Sequence, residues 1–372
     1  MNMRAAVYYG PGDIRLEDYA EPAPTTENLI VKVRCCGLCG TDLKLATIGY
    51  LRCHPPRIIG HEMAGEVVHV GTQVQGFALG DRITLATTVS CGQCAYCALG
   101  LGNLCTDAKP ISYDYDGAMS EYLAVPPLAL SGGNVVKLPD NVPDEAAALS
   151  EPLSCVINAQ MLCGVKHGDK VLIVGGGPLG ALHCEVAKAF GAQDVMVVGR
   201  GEPRLSLLRK LKGATVIDGA TEDVAAIVKS RTGGLGAEVV IVCAPARQPH
   251  ESATNFVRKG GVISFFASLP NGASMITLDS RAIHYGELRV IGASDSRPEH
   301  VKQAVEFLAQ AKIDVGSVIT HRLPLEEIHT GFALMKERKS LKILLYPAGP
   351  GERSTSQNAG VLVSALGVTD ET

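Results

Sequence analysis

The sequence has no long hydrophobic run, no block of like charge and no apolar segment near its start. Its 34 Lys and Arg nearly balance 38 Asp and Glu, so the formal net charge is −4 over 372 residues. This balance gives no electrostatic support for binding to nucleic acid or to an anionic membrane. The longest apolar runs, such as residues 171–174 and 239–244, are far shorter than the ~18 residues of a membrane span. The opening segment carries Arg4 and Asp13 and lacks the apolar core of a secretion signal. We therefore expect a cytoplasmic protein that binds neither nucleic acid nor membrane.

The composition is that of a globular protein with more than one domain. Hydrophobic residues make up 46% and charged residues 19% of the chain, and the mean hydropathy is +0.17, which separates it from disordered and fibrous proteins. At ~150 residues per domain, the length predicts two domains. The first 150 residues contain short β segments broken by Gly and Pro, which is typical of a β-rich domain.

From Lys166 onward, apolar strand segments alternate with helical ones. Segments such as KVLIV and DVMVVG predict strands, and residues 251–259 predict one of the intervening helices. About six strands in this alternation predict an α/β fold with a doubly wound parallel sheet of the dinucleotide-binding kind. After Arg297 a helical segment and a closing strand follow. The small and polar residues at 347–372 predict a mobile tail.

A glycine-rich turn, GGGPLG at residues 175–180, matches the pattern GxGxxG between the strand segment KVLIV and a helical segment. Gly175 is expected to make the tight turn, Gly177 to admit a pyrophosphate, and Gly180 to let helix and strand pack closely. The start of the helix, at Pro178 and Leu179, offers free N–H groups to the phosphates. This context predicts a dinucleotide site.

The end of the next strand carries no carboxylate. An NAD site usually places Asp or Glu there for the ribose 2′-OH, but this chain has Val198, Gly199 and Arg200. Gly199 leaves room for a 2′-phosphate, which Arg200 and Arg204 can bind through charge-assisted hydrogen bonds. NADP(H) is therefore favoured over NAD(H). Two alternatives stay open: Arg200 as a solvated surface charge, and Glu202 as the partner of a 2′-OH.

Twelve cysteines in a long cytosolic chain indicate metal binding rather than disulfides. Four of them form the pattern C-x2-C-x2-C-x7-C in a polar, loop-like segment. Four thiolates at this spacing close a tetrahedron around Zn²⁺ with no open position, which predicts a structural site. Its ligands are Cys91, Cys94, Cys97 and Cys105.

A second candidate metal site is dispersed along the sequence. Cys39 in GLCGTD, His61 and Glu62 in IIGHEMAG, and Glu151 in SEPLS offer sulfur, nitrogen and oxygen donors. A mixed set with one position left for water or substrate is what a catalytic zinc needs. Each residue alone has an ordinary structural alternative: a packed thiol, a hydrogen-bonded histidine or a charge at the start of a helix.

With these motifs the chain resembles the zinc-containing medium-chain dehydrogenase/reductase family, the zinc alcohol dehydrogenases. Residues 60–65, Gly71 and Val74 match the zinc signature of that family. The four-cysteine loop and the glycine-rich turn follow in the family's order and spacing, and the resemblance covers about residues 3–346.

The resemblance implies a Rossmann sheet inserted into a β-rich, GroES-like catalytic domain. The catalytic domain would span residues 1–152, with the structural zinc loop at 91–105, and would be completed by a return segment at 297–346. The Rossmann domain would span residues 153–296, and zinc and nicotinamide would meet in the cleft between the two domains.

The resemblance also implies roles for single residues. Cys39 and His61 are expected as zinc ligands, Glu62 as a ligand or an exchangeable one, and Glu151 as a ligand or a partner of the zinc-bound water. Thr41 stands where the family passes on a proton from the bound alcohol.

Further segments indicate the branch of the family. Residues 151–153 and 320–325 resemble polyol and threonine dehydrogenases. Lys44 replaces the relay histidine of many members. Three interpretations of Lys44 stay open: a partner of a cofactor phosphate, a partner of a substrate anion, or a plain exposed lysine. Residues 292–295, GASD, replace the Phe-Arg-Tyr of sorbitol dehydrogenases, which argues against sorbitol itself.

We therefore expect a zinc-dependent oxidoreductase with two zinc ions per chain that prefers NADP(H). Its substrate would be a secondary alcohol or ketone of a polyol, cyclitol or sugar-like molecule. One alternative is an NAD-dependent L-threonine or alditol dehydrogenase. An alternative of another class is a non-catalytic nucleotide-binding or zinc-binding protein on the same fold. The family implies a homodimer or homotetramer.

Overall fold

The computed structural model describes residues 1–50 and 52–349. Within these residues, no helix combines the length and the apolar character needed to cross a lipid bilayer. The predicted tail at 347–372 lies outside the described residues from position 350 onward.

The first part of the chain is mainly β-structure. One sheet has the order β2-β1-β4, and β7 pairs with β8 in a separate ribbon. A 3-10 turn at Gly102–Leu104 lies in the four-cysteine loop. In chain order the elements are β1 (Asn2–Gly10), β2 (Asp13–Ala20), β3 (Leu29–Gly37), α1 (Gly40–Ile48), β4 (Arg57–Ile58), β5 (Glu62–Val70), β6 (Arg82–Leu85), β7 (Thr88–Val89), α2 (Ala95–Ala98), β8 (Lys109–Pro110), β9 (Tyr122–Val125), α3 (Pro127–Ser131), β10 (Val135–Lys137), α4 (Asp144–Ala147) and α5 (Ser150–Cys163).

Next comes a six-stranded parallel sheet in the order β13-β12-β11-β14-β15-β16. Strand order reverses between β11 and β14, which is where an open α/β sheet forms its ligand crevice. The predicted α/β fold with a doubly wound sheet is confirmed. Its elements are β11 (Lys170–Val174), α6 (Pro178–Ala189), β12 (Asp194–Gly199), α7 (Glu202–Leu208), β13 (Ala214–Asp218), α8 (Val224–Arg231), β14 (Ala237–Val242), α9 (Arg247–Ser252), β15 (Val257–Phe265), α10 (Ser280–Gly286) and β16 (Arg289–Gly292).

The last described part consists of α11 (Pro298–Ala309), β17 (Ile319–Pro324), a 3-10 turn, α12 (Ile328–Lys336) and β18 (Lys342–Tyr346). Strand β18 joins the N-terminal β part, in a sheet with the order β10-β6-β5-β3-β18-β17 and β9 also paired with β3. Helix α11 packs on α5 through a shared apolar cluster. The chain thus returns to its first sheet, while the predicted domain limits stay predictions.

One helix prediction is partly wrong. Of the helix predicted at 251–259, only the start is helical: α9 ends at Ser252 and a 3-10 turn covers Ala253–Asn255. Val257 already belongs to β15 and pairs with Ala237 of β14. Pairing with a neighbouring strand and burial in the sheet outweigh the local helical pattern.

Antiparallel register brings two of the predicted metal-binding segments together. Strand β3 ends at Gly37, which lies opposite Glu62, the first residue of β5. Cys39 follows two residues after Gly37, and His61 directly precedes Glu62, so both lie at the same end of this strand pair. The first turn of α5 carries Glu151.

A crossing of two backbone segments holds His61 in place, and it predicts an effect on stability. A Cβ on Gly117 would overlap the carbonyl oxygen of Gly60 and lie 2.6 Å from the carbonyl carbon of Ile59. We expect Gly117→Ala to lower the free energy of unfolding by about 1–3 kcal/mol, the cost of overpacking. Gly292→Ala is the matched control because its Cβ would meet nothing within 4 Å. Equal denaturation midpoints for the two variants would contradict the prediction.

Candidate active site

Three of the predicted metal ligands lie together. The sulfur of Cys39, a ring nitrogen of His61 and a carboxylate oxygen of Glu62 are all within 4.8 Å of one another. Cys39 is the N-cap of α1: its sulfur accepts from the backbone N–H of Thr41 at 3.5 Å, and its own N–H donates to Oδ2 of Asp42 at 2.9 Å. These bonds fix the orientation of the thiol.

Two buried charged residues, Asp42 and Lys342, lie against these ligands. Oδ1 of Asp42 lies 3.6 Å from Nδ1 of His61. Nζ of Lys342, on β18, forms an ion pair with Oε1 of Glu62, and the side chains of these two residues are 2% and 0% exposed. Removing one partner of such a buried pair leaves an uncompensated charge, which is strongly destabilising. No sequence motif pointed to Lys342, since its role depends on the pairing of β18 with β3.

The donor set fits a zinc ion. Burial lowers the pKa of His61, but the charges of Asp42 and Cys39 outweigh burial and raise this pKa above its usual value. Oε2 of Glu62 and Nδ1 of His61 are buried without a hydrogen-bond partner among the described residues. An unpaired buried carboxylate oxygen is costly, and a cation held by sulfur, nitrogen and oxygen donors would compensate it.

Glu151 lies beside this group rather than in it. One of its oxygens is within 4.8 Å of Sγ of Cys155 and of a carboxylate oxygen of Asp295. Thr87 donates to its Oε1 at 3.4 Å. Burial raises the pKa of Glu151 to about 7, against the opposing charge of His61. The four predicted donors thus fall into two adjoining groups, and no motif indicated that Cys155 would join the second.

The loop that carries Asp295 runs from β16 to α11 and is tied to several elements. Thr88 donates to Oδ2 of Asp295, and the N–H of Ser296 donates to its Oδ1 at 2.7 Å. Nδ2 of Asn158 donates to the carbonyl of Asp295 at 2.8 Å. Asp295 has φ +59°, a left-handed conformation that is rare for residues other than Gly, Asn and Asp. The carboxylate is therefore held firmly beside Glu151.

A hydroxyl and two tyrosines lie next to the three donors. Oγ1 of Thr41 is 3.6 Å from Sγ of Cys39. The ring of Tyr113 lies 6.4 Å from that of His61 and 5.1 Å from that of Tyr50. The tyrosines belong to no motif, so only the structure reveals them. Lys44 is exposed on α1, and its role stays open.

The four predicted structural ligands lie in one compact group. Their sulfurs are within 4.8 Å of one another, with separations of 3.5 Å for Cys94 and Cys97, 3.7 Å for Cys94 and Cys105, and 3.9 Å for Cys91 and Cys97. The edges of a tetrahedron with Zn–S bonds of ~2.3 Å are about 3.8 Å long. Backbone N–H groups lower the pKa of Cys94 to about 5, which favours the thiolate that a metal binds.

The glycines of the predicted dinucleotide turn differ in their surroundings. Gly175 has φ +124°, and a Cβ on Gly180 would overlap the carbonyl oxygen of Gly175. A Cβ on Gly177 would meet nothing within 4 Å, so the backbone there is open to a ligand. Pro178 starts α6, and Leu179 packs against the core. This cradle fits a pyrophosphate at the N-terminus of α6.

The two arginines predicted for the 2′-phosphate have different environments. Arg200 is exposed, and its Nη2 lies 3.4 Å from Oε1 of Gln248. Arg204 is half-buried, and its Nη1 donates to the carbonyl of Ser340. Arg200 thus lies at the surface, whereas Arg204 already joins α7 to the segment before β18.

Gly199 and Glu202 both have structural partners of their own. A Cβ on Gly199 would lie 2.7 Å from Cδ1 of Leu208, so a larger residue there would shift this side chain, and the packing of α7 on β12 favours glycine whichever cofactor binds. Glu202 is exposed and accepts from Arg209 at 2.6 Å. The predicted room for a 2′-phosphate at Gly199 therefore has a second explanation in packing.

Comparison with known proteins identifies the family. The model of the alcohol dehydrogenase GroES-like domain matches residues 25–140, and that of the zinc-binding dehydrogenases matches residues 178–310. Sorbitol dehydrogenase of Halalkalibacterium halodurans is 30% identical over 344 residues, which are 91% of this chain and 97% of that protein. The chain belongs to the zinc-binding dehydrogenase family.

This dehydrogenase is also similar to L-threonine 3-dehydrogenase of Pyrococcus furiosus, with 34% identity over 328 residues, 87% of this chain and 92% of that protein. The solved structure of a zinc-binding dehydrogenase from Sinorhizobium meliloti bound to NADP has a TM-score of 0.84 at 29% identity and covers 93% of this chain and 100% of that one. The predicted family, its polyol and threonine dehydrogenase branch and the oxidoreductase class are confirmed.

The four-cysteine group predicts a metal that supports the fold. We expect Cys97→Ser to bind less zinc per chain than the native protein and to melt at a lower temperature, because three thiolates no longer close the tetrahedron. Cys53→Ser is the matched control, since Cys53 lies outside both candidate metal groups. Elemental analysis and thermal unfolding measure both effects. Unchanged zinc content in the Cys97 variant would contradict the assignment.

Proposed function

We propose that this protein is an NADP(H)-preferring, zinc-dependent dehydrogenase that interconverts a secondary alcohol and a ketone of a polyol, cyclitol or sugar-like substrate. The observation that carries the proposal is the contrast between its two candidate metal groups. The four cysteines use every tetrahedral position themselves, whereas Cys39, His61 and Glu62 supply three donors beside the hydroxyl of Thr41. Three protein ligands and one open position are typical of catalytic zinc.

Each residue around the open group has a distinct task in this proposal. Zinc bound by Cys39, His61 and Glu62 would supply a Lewis acid for the substrate oxygen. Lys342 holds Glu62 in place through their ion pair, and Asp42 faces the imidazole of His61. Such supporting contacts orient metal ligands and tune their basicity.

Proton transfer is assigned to Thr41. In oxidation, a bound nicotinamide would supply the hydride acceptor for the carbinol carbon, and the substrate hydroxyl would lose a proton. Oγ1 of Thr41, next to Sγ of Cys39, would relay that proton by accepting it as it releases its own hydroxyl proton. The ring of Tyr113 lies beside that of His61 and would limit the access of bulk water from this side.

Dinucleotide binding is assigned to the glycine turn and to Arg200. Gly175, Gly177 and the N-terminus of α6 form the pyrophosphate cradle. Arg200 is the main 2′-phosphate ligand in this proposal, and Arg204 holds α7 in place from its bond to Ser340. The NADP bound to the Sinorhizobium meliloti relative is consistent with this choice.

Relatives favour substrates with a second polar group beside the reacting alcohol. Sorbitol and L-threonine, named for two relatives, each carry a hydroxyl or an amino group on the neighbouring carbon. An NAD-dependent L-threonine dehydrogenase is the second candidate, favoured by the 34% identity to the Pyrococcus furiosus enzyme. We also propose a homodimer or homotetramer, as the family implies.

The test of this function is a panel of polyols, cyclitols, diols and L-threonine with NADP⁺ and NAD⁺, followed by nicotinamide absorbance. We expect turnover of secondary alcohols by the native protein and a loss of roughly 10³-fold in kcat for Cys39→Ala, because a Lewis acid contributes several kcal/mol. Dinucleotide binding should persist in this variant, and Cys53→Ser should keep full activity. Normal turnover of the Cys39 variant would overturn the mechanism.

Cofactor preference is tested at Arg200 because a side chain at Gly199 would disturb Leu208. We expect Arg200→Gln to lower kcat/KM for NADPH by ~10- to 100-fold and to leave that for NADH unchanged, since one charge-assisted hydrogen bond is lost. Arg209→Gln is the matched control, an exposed arginine paired with Glu202. Equal effects on both cofactors would place recognition of the 2′ position elsewhere.

A further inference from the structure

We propose that Asp295 determines substrate specificity, because its carboxylate binds a hydrogen-bond donor on the carbon next to the one that is oxidised. The inference rests on the proposed function and deepens it: the substrate must carry a hydroxyl or an ammonium group beside the reacting alcohol.

Asp295 lies in the acidic group next to the candidate metal site. One of its carboxylate oxygens lies within 4.8 Å of Glu151 and of Cys155, in the group that adjoins the three candidate zinc ligands. In this proposal, a substrate whose reacting oxygen sits at the open metal position would present its neighbouring carbon to this carboxylate.

The carboxylate is held in advance of binding. Its two oxygens accept from Thr88 and from the N–H of Ser296, and Asn158 fixes the carbonyl of the same residue. A group held by the protein loses little freedom when a ligand binds, so its hydrogen bond discriminates well between substrates with and without a matching donor.

Hydrogen-bonding capacity remains for a ligand. A carboxylate offers about four acceptor sites, and the two bonds to Asp295 from Thr88 and Ser296 leave others available. Glu151 is a second acidic group in the same cluster, and two carboxylates this close repel each other. A donor placed between the two acids relieves this repulsion, whereas an anionic substituent adds to it. The pair therefore favours a hydroxyl or ammonium neighbour and disfavours a carboxylate neighbour.

The competing explanation is that Asp295 only anchors its loop. Asparagine separates the two, because Asp295→Asn keeps an acceptor oxygen for the N–H of Ser296, lets the hydroxyl of Thr88 accept from the new amide group, and loses the charge. Asn103→Ala is the matched control: Nδ2 of Asn103 donates to the carbonyl of Ser294 at 3.0 Å, so this variant loosens the same loop and leaves the carboxylate intact.

The experiment compares kcat/KM for butane-2,3-diol, 3-aminobutan-2-ol, butan-2-ol and lactate in the native enzyme and both variants. In the native enzyme we expect the diol or the amino alcohol to be preferred over butan-2-ol, and lactate to be the poorest. Asp295→Asn should lower kcat/KM for the preferred substrate by about 10- to 100-fold and change that for butan-2-ol by less than about threefold, because butan-2-ol has no second donor for the carboxylate to bind. The better of the diol and the amino alcohol identifies the donor as hydroxyl or ammonium.

The outcomes separate this inference from the function on which it rests. Oxidation of none of the alcohols on the wider panel overturns the proposed function and the role of Asp295 with it. Equal kcat/KM for butan-2-ol, the diol and the amino alcohol in the native enzyme overturns only the role of Asp295. The same conclusion follows if Asp295→Asn slows butan-2-ol and the preferred substrate equally, as Asn103→Ala should if it has any effect. The comparison of native substrates needs no variant, so it decides the question even if Asp295→Asn does not fold.

Discussion

The buried ion pair between Lys342 and Glu62 is the interaction on which the candidate active site depends. It joins β18, the last described strand, to Glu62, the first residue of β5. A carboxylate with no exposed surface needs a counter-charge, because desolvation of an isolated ion costs several kcal/mol. Lys342 is available only because β18 inserts beside β3, where Leu344 lies opposite Gly37. Strand β18 thus extends the sheet and also supplies the positive charge that Glu62 needs.

Charge balance explains why the two candidate metal groups differ in chemistry. The four cysteines lie in a short loop whose backbone N–H groups stabilise a thiolate, and their spacing fits a closed tetrahedron. The other group is assembled from distant segments and surrounded by Asp42, Glu62 and Glu151. These acids outnumber the nearby cationic side chain of Lys342, so a bound cation would balance their excess negative charge. In the proposed function, the four-cysteine group would support the fold and the second group would support catalysis.

Short motifs could be predicted from the sequence because their residues are neighbours in the chain. The four-cysteine spacing, the glycine turn and the pair His61 and Glu62 each lie within a few residues of sequence, and local geometry limits what they can do. Lys342 could not be predicted, since its contact with Glu62 spans 280 residues. Gly199 was ambiguous: its freedom from a side chain suggested room for phosphate, but close contact with Leu208 also favours glycine there. Packing between elements decided each of these points, as it did at Val257.

The segment before and within β18 also contacts both helix α7 and Glu62. The carbonyl of Ser340 accepts from Arg204 of α7, near the strand end where the 2′ position is expected, and Lys342 follows two residues later at Glu62. Ser340 and Lys342 are two residues apart, so the contact with α7 and the ion pair at Glu62 lie on one short segment. The loop at Asp295 makes a second connection, from β16 to Thr88. These two short connections join the parallel sheet and its helices to the N-terminal β part, and each of them lies close to a group of candidate metal ligands.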